Sequence, residues 1–232
     1  MSRRIPLLLS VLALASLPAV MARSQTVIRR AEGDTALFNG KDLSGWKTYL
    51  DPRAKDVKPE DVWSVKDGVI RCKGKPFGYL LTEKEYGNYV LTVEWRWPTK
   101  QEHPNSGVFV HVSGPDKIWP KGVEAQLYAG HAGDFWLVGD FKLEVDKERQ
   151  DKGTSRHYYR IDKDTPVEKK PGEWNKYEIT CRGNSIRLVV NGKLVNEGKN
   201  AEATKGKILL QSEGAPIEFR NIKLSPIRRG KE

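Results

Sequence analysis

The chain has 232 residues, with 40 Lys and Arg against 30 Asp and Glu and a formal net charge of +10. At 38% hydrophobic and 30% charged residues it is globular rather than disordered, and its length suits a single all-β domain. Lys and Arg are scattered, with no basic helix and no aromatic RNA-binding signature, so the charge is read as solubility and nucleic acid is excluded as a partner.

The first segment reads as a signal peptide. "MSRR" is a basic start, "IPLLLSVLALASL" an apolar run, and "AVMARS" a small-residue cleavage region, which places the cut after Ala22 or Ser24. The run is shorter than the roughly 20 residues that a membrane-spanning helix needs. Removing residues 1–22 leaves 38 basic and 30 acidic residues, a charge of +8. The mature chain is expected to be periplasmic or secreted, with no membrane contact after cleavage. Residues 23–34 read as a polar leader, 35–226 as one domain, and 227–232 as a basic tail.

From "ALFNGKDLSGWKTYL" onwards the pattern is short strands between turns. "WSVKDGVIRCKG" holds a hairpin at Asp67-Gly68, and "SIRLVVNGKLV" another at Asn191-Gly192. "YVLTVEWRW" alternates, with Leu91, Val93, Trp95 and Trp97 on one face and Thr92, Glu94 and Arg96 on the other. "SGVFVHV", "VEAQLY", "FKLEV", "YYRI", "KYEITCR", "KILLQS" and "IEFRNIKLSPI" supply further strands, and no 12-residue amphipathic helix is found. The fold class is therefore all-β, a two-sheet antiparallel β-sandwich or jelly roll. The charged stretch Asp146–Arg156 is expected to be an exposed loop. For Cys72 and Cys181 two alternatives stand: a disulfide, or two buried thiols.

Strand parity and loop position give the candidate site. Glu124 and Gln126, two apart, share a face; a carboxyl there suits acid or base work and the amide suits a sugar hydroxyl, though a solvated sheet face has the same pattern. Phe109 and His111 share a face by the same rule, and His111 titrates in the range of an acid or base. Arg96 is a candidate for holding hydroxyls or an enolate, with a surface pair to Glu94 as the plainer alternative. Asn105 begins a strand. His131, Asp134 and Trp136 lie on a Gly-bounded loop, where Trp136 could stack on a sugar. His111, Glu124, His131 and Asp134 could in principle meet around a divalent ion; without HExxH or an EF-hand loop, neither metal nor other cofactor is expected.

In order along the chain, "LFNGKDLSGWK", "WSVKDGVI", "GYLLTEKEYGNYVLTVEWR", "NSGVFVHV", "VEAQL", "GEWNKYEITCRGNSIRLVVNGKLV" and "ILLQSEGAPIEFRNIKL" together resemble the 3-keto-disaccharide hydrolase family. The resemblance covers about residues 35–226. It implies a concanavalin A-like lectin/glucanase jelly roll acting on glycosides whose sugar carries a ketone at carbon 3. It also matches Glu124 and Gln126 to the family's Glu-x-Gln strand. That strand offers one carboxylate, which fits a retaining two-carboxylate glycosidase poorly. A ketone at carbon 3 instead acidifies the carbon 2 proton, so the expected route is proton abstraction, elimination and hydration, with Glu124 and His111 as the catalytic pair. Gln126, Arg96, Asn105, His131, Asp134 and Trp136 are the expected substrate contacts. The ketone would come from a separate oxidoreductase, since this chain has no GxGxxG. The alternative is a non-catalytic carbohydrate-binding module using the same face.

Overall fold

A computed structural model describes residues 33–227; the signal segment, most of the leader and nearly all of the basic tail lie outside the described residues. The strands are β1 (Thr35–Ala36), β2 (Trp46–Leu50), β3 (Trp63–Lys66), β4 (Val69–Cys72), β5 (Gly78–Thr82), β6 (Tyr89–Arg96), β7 (Gly107–Ser113), β8 (Lys121–Gln126), β9 (Phe135–Val138), β10 (His157–Tyr158), β11 (Asn175–Arg182), β12 (Ser185–Val190), β13 (Lys193–Gly198), β14 (Lys207–Ser212) and β15 (Ile217–Pro226). Helix among the described residues is limited to one turn, α1 (Pro59–Val62), and a 3-10 turn at Lys147–Arg149. Neither is long and apolar enough to cross a membrane.

The strands form two antiparallel sheets. One runs β13-β12-β11-β6-β15-β4-β3, with β1 also on β15; the other runs β10-β9-β8-β7-β14-β5-β2. The alternation read in β6 is what packs them together. Leu91, Val93 and Trp95 have no exposure and face the core, while Glu94 and Arg96 are half-buried on the outer face. The facing sheet contributes Val108, Val110, Val123, Ala125, Phe135 and Leu210, all fully buried. Each large side chain taken out of water here contributes roughly 1.5–3 kcal/mol, so the interleaved apolar faces are the main support of the sandwich. Both hairpins are present: Asp67 and Gly68 have φ of 53° and 73°, Asn191 and Gly192 of 50° and 84°, the left-handed pairs that two-residue turns require.

A second, smaller apolar cluster lies on the outer face of the seven-stranded sheet. It consists of Tyr79, Leu81, Phe109, Val112 and Leu209, with Tyr49 and Val138 at its edge. The loop after β7 is tied across this face by two bonds: the Tyr79 hydroxyl donates to Asp116 (2.8 Å) and the Trp119 indole N–H to Glu213 (2.9 Å).

Several expected details differ. "FKLEV" is extended but makes only a single bridge, Glu144 to Lys199, and "YYRI" contributes one residue to the two-residue β10. The stretch Asp146–Arg156 is more than a solvated loop, because it carries the 3-10 turn and its Arg156 carbonyl accepts from the Leu137 N–H of β9 (2.8 Å). Cys72 and Cys181 are free and buried. They lie on β4 and β11, three strands apart in one sheet. Strand spacing alone separates them by ~14 Å, and the register sets them at opposite ends of β15, level with Ile217 and Pro226, so they are far beyond the roughly 4–7 Å between Cα atoms that a disulfide needs. Burial pushes the thiols up to about 11 and about 12, respectively.

Two outcomes follow from this packing. A thiol reagent should find no reactive cysteine in the folded protein and two per chain once it is unfolded in denaturant. Gly74→Ala should lower the melting temperature, at a cost of about 2 kcal/mol or more. Its φ is +80°, and a Cβ there would lie 2.2 Å from the Ala215 carbonyl oxygen, which is backbone and cannot swing aside.

Candidate active site

The site is built on β8. Glu124 is paired with Phe109 of β7 on one side and Trp136 of β9 on the other, and directly opposed residues share a sheet face. Its side chain therefore rises on the outer face between two aromatic residues. It can lie flat because the next row holds a glycine. A Cβ on Gly107 would sit 2.3 Å from Glu124 Oε1 and 3.0 Å from Gln211 Oε1. Glu124 is 5% exposed and Gln211 2%, and neither of these oxygens has a hydrogen-bond partner. Burial pushes the Glu124 carboxyl well above the usual carboxylate range, and the nearby charge of Glu213 adds to the effect.

Gln126 has a fixed orientation. Its Oε1 accepts from the backbone N–H groups of Leu127 and Tyr128, both at 2.8 Å, which leaves the amide NH2 as the end available to a ligand. Glu213 stands just beyond β14. Its Oε2 accepts from Asn105 Nδ2 (2.7 Å) and its Oε1 from the Trp119 indole (2.9 Å). Burial raises its pKa, and the Trp119 bond opposes that rise. Glu124, Gln126, Glu213, Asn105, Trp119, Trp136 and Arg156 line one cleft of about 310 Å³. A larger hollow of about 730 Å³ lies on the outer face of the other sheet, around Thr92, Glu94 and Lys176. Its carboxylate is already held by Arg220 at 2.8 Å, so it lacks the free acid that the smaller cleft offers.

Trp136 is held from behind. The His157 ring stacks on it, with centroids 4.5 Å apart and planes 7° from parallel. His157 is gripped at both nitrogens, by Asp134 Oδ2 (2.9 Å) and Asp151 Oδ2 (3.0 Å). Burial works against its charge, but the bonds and charges of the two aspartates outweigh it, and its pKa is raised. The result is a ring held flat behind an indole by two carboxylates that favour its charged form, in which it makes a cation–π pair with Trp136. Asp134 has no exposure; it also accepts from the Arg160 backbone N–H (2.8 Å) and faces His131 Nδ1 (3.1 Å).

Of the residues expected from sequence, Glu124, Gln126, Asn105 and Trp136 meet in the cleft. Four do not. His111 was expected on the face of Phe109, but β7 bulges between Val110 and Ser113 and turns it away. His111 has φ of 55° and no exposure, lies parallel to the core residue Phe141, and is lowered to about 4 by burial. It is a neutral buried ring, not an acid in the cleft. Arg96 belongs to the other sheet, where its Nε is 2.6 Å from Glu218 and its guanidinium lies over the Trp174 ring at 4.5 Å. Asp134 is a buried anchor and cannot touch a ligand, and His131 sits half-exposed beside it, outside the cleft lining. Among the described residues no three His, Cys, Asp or Glu side chains converge in a way that would hold a metal.

Sequence reasoning missed Glu213, Trp119, Arg156 and the supporting pair His157 and Gln211. One signal was present. "QSE" places Gln211 and Glu213 two apart at a strand end, the mirror of Glu124 and Gln126, and the pairing of Leu209 with Phe109 puts both on the same outer face.

Comparison with known proteins agrees with this fold. Residues 33–225 match the family model of the 3-keto-alpha-glucoside-1,2-lyase-like domain. A curated relative from Bacteroides thetaiotaomicron, named 3-keto-disaccharide hydrolase, is 29% identical over 189 residues; the match covers 74% of this chain and 57% of the relative, so this chain spans little more than half of that protein's length. A glycosyl hydrolase candidate from Parabacteroides distasonis ATCC 8503 superposes with a TM-score of 0.59 at 27% identity, covering 84% of this chain and all of that one. The Bacillus licheniformis beta-glucanase shares the fold, with a TM-score of 0.52 at 16% identity over 84% of this chain and 99% of its own. With nearly all of its described length matched by one family model, the chain belongs to the 3-keto-alpha-glucoside-1,2-lyase-like domain family.

Proposed function

We propose that the protein is a glycoside-cleaving enzyme for sugars that carry a ketone at carbon 3, working after export to the periplasm or beyond. The observation that carries this is Glu124, a buried carboxyl with an unpartnered oxygen on the floor of an aromatic-walled cleft. A protein that only held a glycan would gain nothing from such a group, since an unsatisfied buried polar atom costs on the order of 1–3 kcal/mol. An enzyme uses it as a carboxyl that keeps its proton near neutral pH and can hand it over.

The surroundings suit the substrate. A ketone at carbon 3 makes the carbon 2 proton removable, and the resulting enolate needs donors: the Gln126 NH2 and the Arg156 guanidinium line the same cleft. Departure of the group on carbon 1 needs a proton, and Glu124 holds one. Addition of water to the product completes a net hydrolysis. Trp119, 46% exposed, and Trp136 give two indole faces on which sugar rings can stack. No resident cofactor is required by these steps. The ketone has to be installed beforehand, by a separate oxidoreductase.

Two measurements test this reading. Purified protein incubated with 3-keto-trehalose, 3-keto-lactose and their unoxidised parents should release free sugar from the keto forms only, and Glu124→Gln should lower turnover ~100-fold or more. Release from the unoxidised parents at a similar rate would sink the proposal. The second concerns the wall behind Trp136. The folded pKa of His157 lies above the ordinary value near 6.5, so the stabilisation it provides is complete below that pH and is lost as pH rises through the folded pKa. The melting temperature should fall as pH rises above about 6.5 through that window, and the part of the fall due to the clamp should be absent in His157→Gln.

A further inference from the structure

The cleft holds two carboxyls, and their surroundings are opposite. Glu213 has a neutral N–H donor on each oxygen, from Asn105 at 2.7 Å and Trp119 at 2.9 Å. Donors on both oxygens favour the ionised form and aim its remaining lone pairs. Glu124 lies deeper, its Oε1 over Gly107 without a donor. The charge of Glu213 discourages ionisation of Glu124, so of the two it is Glu124, the one without donors, that holds a proton. We propose that Glu213 is a second catalytic residue, the base that takes the carbon 2 proton, while Glu124 is the acid that protonates the departing oxygen. The assignment rests on the reading of the cleft as a keto-glycoside site.

The proton inventory closes. Glu213 carboxylate takes the proton from carbon 2, and the electrons of that C–H bond form the enolate, with its charge on the carbon 3 oxygen facing Gln126 and Arg156. The enolate collapses, the bond from carbon 1 to the leaving oxygen breaks, a double bond forms between carbons 1 and 2, and Glu124 gives its proton to the leaving oxygen. The products are an unsaturated keto sugar and an alcohol. Water then adds to carbon 1 as Glu124, now a carboxylate, takes one of its protons, and Glu213 returns a proton to carbon 2. Both carboxyls end as they began, and nothing is oxidised or reduced. The two roles differ in what they need from the substrate: a base is needed whatever leaves, whereas an acid is needed only when the leaving oxygen is basic.

The test compares a 3-keto-disaccharide with a nitrophenyl 3-keto-glucoside, in deuterated water, for the full-length protein and the variants Glu124→Gln and Glu213→Gln. Glu124→Gln should lose ~100-fold or more on the disaccharide, come within about tenfold of the unaltered protein on the nitrophenyl substrate, and still exchange the carbon 2 hydrogen with solvent. Glu213→Gln should lose ~100-fold or more on both substrates and lose the exchange. Glu213→Asp, which keeps the charge but shortens its reach, serves if the amide variant does not fold, and should also slow both substrates and the exchange in parallel. Rescue of the Glu213 variants by the nitrophenyl group, or undiminished exchange in them, would overturn the assignment while leaving the enzyme reading intact. Absence of turnover by the unaltered protein on either keto substrate would overturn the enzyme reading, and the assignment with it.

Discussion

The architecture of the site depends on keeping one carboxyl dry. A glutamate side chain that leaves water without a counter-ion must hold its proton or destabilise the fold by several kcal/mol. Glu124 meets that demand through its neighbours. Phe109 and Trp136 flank it across the sheet, Gly107 leaves room for the carboxyl to lie against the backbone, and the charge that acts on it is another acid's, that of Glu213. A lysine or arginine against it would turn it into an ordinary ion pair. The cation that lines the cleft, Arg156, comes from the loop before β10 and stands exposed at its rim.

The two sheets divide the work. The eight-stranded sheet spends its outer face on surface pairing: Arg96 and Arg220 both lie over the Trp174 ring, at 4.5 and 4.0 Å, and are held by Glu218 and Glu94. Such partly exposed pairs are worth little to stability individually and leave no group free for chemistry. The seven-stranded sheet uses its outer face differently. One part is sealed by the loop that bears Asp116 and Trp119, and the polar rows beyond it stay open. The His157 ring behind Trp136 stiffens the open part, because its two aspartates come from separate loops, before β9 and before β10, and join them at a single ring.

Much of this was legible in the sequence, and the reasons for the rest are physical. Alternation in β6 and the Asp-Gly and Asn-Gly turns encode a sandwich, since both follow from local geometry. Parity placed Glu124 and Gln126 correctly because β8 pairs without interruption from Gly122 to Ala125 with β9. It failed at His111 because a bulge adds one residue to β7, and nothing in "VFVHVS" marks it. Arg96 was misplaced for another reason: parity gives the face of a strand but not which sheet the strand joins. Glu213 lies 108 residues from Asn105, and no local pattern records a contact of that span. His131 and Asp134 share a loop with Trp136, but Asp134 turns inward to hold His157 behind the indole, and His131 sits half-exposed beside it.

The strand order carries a consequence for how the chain comes into being. β14 lies between β5 and β7, and β15 between β4 and β6, so each sheet is completed from inside by a strand from the end of the described chain. A nascent polypeptide that has not yet reached Lys207 has both sheets split, with hydrogen-bonding edges open on either side of each gap. Glu213 sits in the link between those two strands, so the acid pair cannot exist in any partly made chain. Folding of this domain therefore waits until β15 has been made and then has to close long loops, a slow step for β topologies. Until then its open edges are the surface that an escorting chaperone would have to cover.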